Sequence, residues 1–310
     1  MNLSYTDEQN LLRDSVSKFC SSDYDFETRM KSVDSKDGHN AEHWKLFAEL
    51  GWLAIPFSEE LGGLDGNDVD LSLVFEEFGK SIIVEPYLAN IVLSGGILKR
   101  GNLESKTEIL EEMISGTKQV SLANYEPNKG YNLDNVDCEI GADGTVNGIK
   151  NTVLNAPNAD LFLVFGKQGS GYAFALIPKD ASGLEVIGYK TYDGFVSGDL
   201  KLQNCKANAV FSSENALEIL DATIQEAIVC ICSEAIGAME KCYKLTIEYT
   251  QQREQFGQSL SKFQALQHRM VDMFMETEFS KSFLLKVLAT EDVSEKTKLI
   301  YGLKNQVAKA

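Results

Sequence analysis

Long apolar runs are missing from this chain of 310 residues. No stretch approaches the roughly 18 to 20 uncharged apolar residues that span a bilayer, which argues against a membrane protein. Met1-Asn2-Leu3-Ser4 leads into Asp7 and Glu8 rather than a basic and then apolar signal region, so the expected location is cytoplasmic. Cysteine pairs at metal or redox spacing are missing too. Cys20, Cys138, Cys205, Cys230, Cys232 and Cys242 form no C-x-x-C pair, which indicates neither a disulfide framework nor a zinc site, and they read as reduced, buried small hydrophobes. Clustered Lys and Arg are lacking and the formal net charge is -17, which excludes a nucleic-acid groove. A small anionic ligand remains compatible, since one or two local cations and backbone amides can hold it. No Gly-x-Gly-x-x-Gly follows a strand, Gly166, Gly169 and Gly171 have the wrong spacing for a Rossmann turn, and no Walker loop occurs. Of the three histidines, His39, His43 and His268, the first two lie in or beside the polar run Lys36-Asp37-Gly38-His39-Asn40 and read as solvated loop residues rather than metal ligands.

What is present is ordinary for a globular protein, 44% hydrophobic and 24% charged, and long enough for two or three structural units. Residues 1–116 read as a helical domain. Thr6-Asp7-Glu8-Gln9 has the form of a capping box, and Leu11, Leu12, Val16 and Phe19 follow at helical spacing. Helical runs through Trp44, Leu46, Phe47 and Leu50, and from Leu71 to Phe78, are expected to stop at Gly51 and Gly79. Residues 117–212 change to short β-type segments at 119–124, 145–154, 160–165, 172–177, 184–189 and 198–202, with a hairpin turn at Ala142-Asp143-Gly144. No helical crossovers fit between them, so a small barrel or sandwich is expected rather than a parallel sheet. Residues 213–310 return to helix: a very long one through Leu217 and Tyr249, a break at Phe256-Gly257, a second opened by Ser261-x-x-Gln264, and a third from Lys296 still running at Ala310. The fold class is thus α+β multidomain, with a C-terminal long-helix bundle whose end is expected to lie beyond the chain given.

The segment Tyr249-Thr250-Gln251-Gln252-Arg253-Glu254-Gln255-Phe256-Gly257 carries the most chemistry. A cation, an aromatic and a glycine at the end of a long helix offer a charge and a flat apolar surface to a phosphate-bearing aromatic cofactor. Equally, Arg253 complements a helix C-terminus, Phe256 can fill core, and Gln264 stands where a capping box with Ser261 needs it.

Together, Glu234-Ala235-Ile236-Gly237-Ala238-Met239, the Arg253-Glu254-Gln255-Phe256-Gly257 motif and Phe263-Gln264-Ala265-Leu266-Gln267-His268 resemble the long-helix signature of acyl-CoA dehydrogenases. Leu50-Gly51-Trp52-Leu53-Ala54-Ile55-Pro56 and Glu59-Glu60-Leu61-Gly62-Gly63 resemble their N-terminal domain. Tyr24-Asp25-Phe26-Glu27-x-Arg29, Val84-Glu85-Pro86-Tyr87-Leu88 and Leu202-Gln203 look most similar to the small-subunit, pimeloyl-CoA dehydrogenase-like type. The resemblance implies FAD bound between the β and C-terminal domains and across a subunit interface. Arg253, Phe256 and Gln264 would hold the adenosine diphosphate part, and backbone groups at Leu122 and Tyr125 the flavin ring. Family members carry Thr-Glu-Pro-Gly-x-Gly-Ser-Asp and Trp-Ile-Thr-Asn, where this chain has residues 125–132, Tyr-Glu-Pro-Asn-Lys-Gly-Tyr-Asn, and residues 152–155, Thr-Val-Leu-Asn. Leu154 therefore lacks a flavin-bonding hydroxyl, and Tyr131 would crowd a thioester chain.

The implied reaction removes an α proton from an acyl-CoA with a carboxylate base and passes the β hydride to flavin, giving a trans-2-enoyl-CoA, with an electron-transfer flavoprotein as acceptor. The base is expected beyond Ala310. A minority of members carry it at the position of Ala227, and neighbouring Glu226 is turned about 100 degrees away around the helix. Two other readings stand beside this enzyme: a non-catalytic subunit that completes a cofactor site in a heteromer, and another flavin chemistry such as a monooxygenase or nitroalkane oxidase. A homo- or hetero-oligomer is expected, because long helices leave apolar faces that one short bundle cannot cover.

Overall fold

Thr6 caps the first helix as its spacing predicts: its hydroxyl accepts the Gln9 N–H and the Gln9 side chain accepts the Thr6 N–H, both at 3.1 Å. The computed structural model describes residues 5–310. Its first helices are α1 (Asp7–Ser22), α2 (Phe26–Asp34), α3 (Ala41–Glu49), α4 (Asp68–Ser81), α5 (Gly95–Arg100) and α6 (Lys106–Ile114), with a π-helical turn at Leu88–Ser94. Gly51 ends α3 in the left-handed conformation, φ 75°, as expected. Gly79 does not end α4. The helix runs on to Ser81 and Ile82 takes the left-handed cap, because Gly79 serves a different need, a close helix crossing described below.

The middle of the chain is one mixed sheet of β1 (Val120–Ala123), β2 (Glu139–Ile140), β3 (Thr145–Leu154), β4 (Leu161–Gln168), β5 (Gly171–Pro178), β6 (Leu184–Lys190), β7 (Val196–Lys206) and β8 (Ala209–Phe211). Its order is β6-β7-β3-β2-β4-β5-β8, with β1 paired to β4. The hairpin turn at Ala142-Asp143-Gly144 joins β2 to β3, Gly144 donating to the Gly141 carbonyl at 2.9 Å. Most pairs are antiparallel, as expected for a domain that is not a parallel sheet, but β1 and β2 each pair parallel with β4. A parallel return needs a connection of a dozen or more residues but not a helix, and between β1 and β4 the β2–β3 hairpin fills that role. Alternate residues of β3, β4, β5 and β7, among them Val146, Phe162, Ala175 and Leu200, bury one face as a core.

Beyond the sheet come α7 (Ala216–Gln252), a short hairpin of β9 (Glu254–Gln255) and β10 (Gln258–Ser259), α8 (Gln264–Leu288) and α9 (Val293–Val307). The last helix starts three residues before Lys296, where Asp292 accepts the Glu295 N–H at 2.8 Å. Its regular turns end at Val307, after which the Gln306 carbonyl accepts the N–H groups of both Lys309, at 3.0 Å, and Ala310, at 3.1 Å.

Two units interleave along the chain. One takes the described residues up to Arg29, Asn67–Ile83 and Ile228–Ala310; the other takes Met30–Gly66 and Val84–Ala227, including the whole sheet. In the helical unit α4 and α7 cross at two glycines. A Cβ on Gly79 would lie 1.8 Å from the Glu234 carbonyl oxygen, and one on Gly237 would lie 1.9 Å from that of Glu76. The Ser72 and Ser233 hydroxyls meet at 3.0 Å in the same contact. Val229, Cys232 and Ile236 of α7 pack with Leu284 and Val287 of α8 and Ile300 and Leu303 of α9.

Two further expectations change. His39 is buried, its Nδ1 3.1 Å from the Asp37 carbonyl, and His43 Nδ1 lies 3.1 Å from the buried Glu85 carboxylate, so neither is a solvated loop residue. A buried polar side chain needs a partner: the loop itself supplies the Asp37 carbonyl to His39, and Glu85, 42 residues on, reaches His43. Five cysteines are buried and none of the six is in a disulfide, but Cys242, on α7, is exposed.

Candidate functional site

The sequence-selected residues fall into two groups, one in each unit. In the sheet unit the first group starts from β1, which pairs with β4 alone. The Gln119 carbonyl accepts the Asp160 N–H at 2.8 Å on the β4 side. Val120 turns to the other edge, donating to Asn90 Oδ1 and accepting from Ser94 Oγ, each at 2.7 Å. Backbone groups of a strand alternate between its two edges, so the N–H and C=O of Leu122 share the edge with those of Val120, where no strand pairs with them. That edge is a place for a planar ligand with its own donors and acceptors.

Tyr125 follows directly. Burial pushes its phenol above the ordinary range, partly offset by a hydrogen bond with Asn124, so it is held as a neutral donor. The loop beyond is fixed by a buried ion pair that sequence reasoning missed. Lys150, fully buried, places Nζ 2.7 Å from Glu126 Oε1 and 3.3 Å from the Asn124 carbonyl. The Glu126 carboxylate also accepts the N–H groups of Asp137 at 2.5 Å and Cys138 at 3.0 Å. The pair thereby closes the base of the 127–136 loop, and every charged atom in it has a partner, which a buried pair requires. A signal was available: Val146, Gly148 and Lys150 share one face of β3, so the lysine sat in an inward register. The loop borders an open cleft of about 240 Å³ lined by Asn124, Tyr125, Glu126, Lys129, Asn132 and Leu220. Tyr131 stands on the loop, 91% exposed, its ring edge-on to Tyr125 with centroids 6.4 Å apart.

Leu154 ends β3 opposite Ser197 and is half-buried. The Asn151 N–H bonds the Tyr125 carbonyl at 3.0 Å, which ties this part of β3 to the end of β1. Leu122, Tyr125, Tyr131 and Leu154 are therefore brought together by β1, β3 and the loop between 126 and 137.

The second group lies in the helical unit. After α7, β9 and β10 pair around Phe256 and Gly257, both left-handed at φ 55° and 79°. Two successive left-handed residues make the turn that matches strand twist in a two-residue hairpin, and Phe256 is an uncommon residue to hold there. Its ring is 90% exposed and edge-on to Phe263 at 6.1 Å. Arg253 sits at the foot of the hairpin, its carbonyl accepting the Leu260 N–H at 2.8 Å, with its side chain exposed and in no ion pair among the described residues. Gln264 begins α8 and is exposed. The expected capping box is absent: Phe263 is the N-cap, and Ser261 Oγ pairs instead with Ser259 Oγ at 2.7 Å. A short 3-10 turn over Leu260–Lys262 takes the residues that the capping box would have used. Arg253, Phe256 and Gln264 thus project from one short connection, a cation, a flat ring and an amide together.

Neither Glu126 nor Glu226 is free. Glu126 is paired with Lys150, and Glu226 of α7 meets Lys99 Nζ and Arg100 Nη1, each at 2.8 Å. Ala227, where a minority of relatives would carry the base, is buried.

Comparison with known proteins fits this geometry. Residues 6–117 match the model of the acyl-CoA dehydrogenase N-terminal domain, and residues 217–310 that of the acyl-CoA dehydrogenase C-terminal domain. The probable acyl-CoA dehydrogenase YngJ of Bacillus subtilis (strain 168) is 28% identical over 312 residues, covering 94% of this chain and 81% of its own. Among solved structures, PigA with FAD and proline superposes with a TM-score of 0.88 at 22% identity, over 100% of this chain and 87% of that one. The ChsE4–ChsE5 complex from Mycobacterium tuberculosis gives 0.87 at 22% identity, over 100% and 86%. These matches, the two-glycine helix crossing within the long-helix signature and the Arg253-x-x-Phe256-Gly257 hairpin agree, and the chain belongs to the acyl-CoA dehydrogenase family of oxidoreductases acting on CH–CH groups.

Proposed function

We propose that this protein carries out the flavin-dependent α,β-dehydrogenation of an acyl-CoA thioester to a trans-2-enoyl-CoA, with FAD as cofactor and an electron-transfer flavoprotein as acceptor. The observation that carries the reading is the pair of ligand-ready features: the unpaired β1 edge at Leu122 and the exposed Arg253–Phe256–Gln264 connection. Both fit the cofactor. The edge offers an N–H and a C=O to a heterocyclic ring, and the connection offers a guanidinium to a diphosphate and a ring to a purine. FAD, when bound, supplies the acceptor for a hydride. The chain's own residues position and exclude: Tyr125 presents a neutral phenol, the Glu126–Lys150 pair fixes the loop that walls the cleft, and Tyr131 narrows the approach of a thioester chain. Leu154 supplies apolar contact where relatives have a hydroxyl, so the ring is held by backbone groups at Leu122 and Tyr125.

Assembly into an oligomer follows from the same unit. Leu245, Tyr249, Phe274, Met275 and Phe279 of α7 and α8 are all exposed, a large apolar surface for a protein in water. No residue of 1–310 is assigned as the base. That Glu126 and Glu226 are both engaged by cations favours a second reading, in which this chain completes a flavin site in a heteromeric assembly whose other subunit brings the base. No helix among the described residues is long and apolar enough to cross a membrane, and a cytoplasmic location is proposed. A bulky acyl group, dicarboxylic or steroid-derived, is the proposed substrate class.

FAD titration followed by flavin fluorescence tests the cofactor reading. Wild-type protein is expected to quench the flavin with saturation, and Arg253→Ala to weaken binding by about tenfold or more, one charge-assisted contact to a phosphate being lost. Unchanged affinity in Arg253→Ala would refute the placement of the diphosphate.

A further inference from the structure

A β-branched residue rarely takes a left-handed conformation, yet Thr152 has φ 54°, and three residues on Asn155 has φ 58°. They bracket Val153, which is buried, and Leu154, the residue proposed above to contact the flavin ring. Such strain persists only where the surroundings enforce it. The register of β3 against β7 shows how. Lys150 lies opposite Leu200 and Val153 opposite Gly198, so β3 spends three steps where β7 spends two. The extra residue bulges opposite Asp199. The Asp199 carboxylate answers the bulge: its Oδ1 accepts the Thr152 N–H at 3.0 Å and the Tyr189 hydroxyl of β6 at 3.0 Å. At the other end the Asn155 N–H reaches the Val196 carbonyl at 2.8 Å, and its side chain is gripped by Gln119 at 2.6 Å and Asn158 at 2.7 Å. Thr152 and Asn155 are thus held in left-handed geometry by anchors at both ends, while Val153 and Leu154 between them stay paired with Gly198 and Ser197 of β7.

We propose that Asp199 is a positioning residue of the flavin site: by capping the Thr152 amide it holds the left-handed bulge and so fixes the shape of the Thr152–Asn155 segment that contacts the cofactor. Without an acceptor on β7, Thr152 relaxes towards the ordinary β region, the bulge migrates, and every side chain from Thr152 to Leu154 is re-aimed. Asp199 lies opposite the segment rather than in it, and acts through backbone. This inference rests on the flavin reading.

The test measures the FAD dissociation constant, the visible spectrum of bound flavin and the thermal midpoint for wild type, Asp199→Ala, Asp199→Asn, Thr152→Gly and the Thr152→Gly/Asp199→Ala double variant. Asp199→Ala is expected to weaken FAD binding about tenfold and to shift the flavin band, since the ring's surroundings change. Asp199→Asn keeps an acceptor oxygen and is expected to stay within about threefold of wild type. The double variant is expected to recover most of the affinity, because glycine adopts the left-handed conformation without a cap. If Asp199→Ala lowers only the thermal midpoint and leaves the dissociation constant and spectrum unchanged, Asp199 is merely structural and the inference fails. Failure of Thr152→Gly to rescue would overturn the proposed route through the Thr152 backbone. Absence of FAD binding by wild type would instead overturn the flavin reading itself.

Discussion

Replacing Gly237 by alanine is the sharpest perturbation of the helical unit. On an exposed helix the change is stabilising by about 1 kcal/mol, since alanine loses less backbone freedom than glycine. Here the new Cβ would lie 1.9 Å from the Glu76 carbonyl oxygen, and backbone rather than a side-chain tip blocks it. Relief requires α4 and α7 to separate by more than an ångström, which loosens the mirrored contact at Gly79 and the Ser72–Ser233 hydrogen bond. Overpacking of this kind costs about 3 kcal/mol, the upper end of the usual range, and the net loss is about 2 kcal/mol. At about 2 to 4 °C per kcal/mol for a chain of this size, the midpoint of a thermal melt followed by circular dichroism should fall about 4 to 8 °C. Gly302→Ala is the control. Its Cβ would meet the tip of the Phe283 ring at 2.9 Å, a flexible neighbour that can swing aside, and the melt should barely move. A Gly237→Ala protein as stable as wild type would refute the glycine-crossing account.

Other consequences follow from the sheet unit and the thiols. Lys150→Met leaves the Glu126 carboxylate buried without its cation, and urea unfolding should show a loss of about 3 to 5 kcal/mol, of which Lys150→Met/Glu126→Gln recovers about half. Tyr125 keeps its proton in the folded state to higher pH than in the unfolded chain; its contribution is full below about pH 10 and is lost as pH rises through the raised folded value. Wild type should therefore lose more stability than Tyr125→Phe as pH rises above about 10 in parallel denaturant titrations, and identical pH profiles would contradict it. Burial pushes the thiols of Cys138 and Cys232 up to about 11, so an aromatic disulfide reagent at neutral pH should label Cys242 alone until the protein is unfolded.

Much of the fold was legible because its signals are local. The Thr6 capping box, the 3.6-residue period of α7 and the alternation of β3 each depend on neighbours in sequence, and each stands where the pattern put it. What escaped depends on partners far along the chain. Gly79 looked like a helix stop, but its role is set by Glu234, more than 150 residues on. Ser261 and Gln264 had capping spacing, but the Ser259 hydroxyl competed for Ser261. The β9–β10 hairpin is two residues a side, too short for a periodic signal, although Gly257 after an aromatic marked the turn. Of the site, Arg253, Phe256 and Gln264 could be chosen from their motif, while Lys150 and Asp199 act through Glu126 and Thr152 and became visible only with the register of β3.

The measurement that bears most directly on the central claim is an anaerobic titration of the flavin-loaded protein with acyl-CoA thioesters, followed by visible absorbance, alone and with a candidate homologous partner added. The account predicts that the oxidised flavin band near 450 nm bleaches with at least one bulky thioester, about one equivalent per flavin. A flavin band that no thioester bleaches in either preparation, while dithionite still reduces it, would contradict acyl-CoA dehydrogenation as the function.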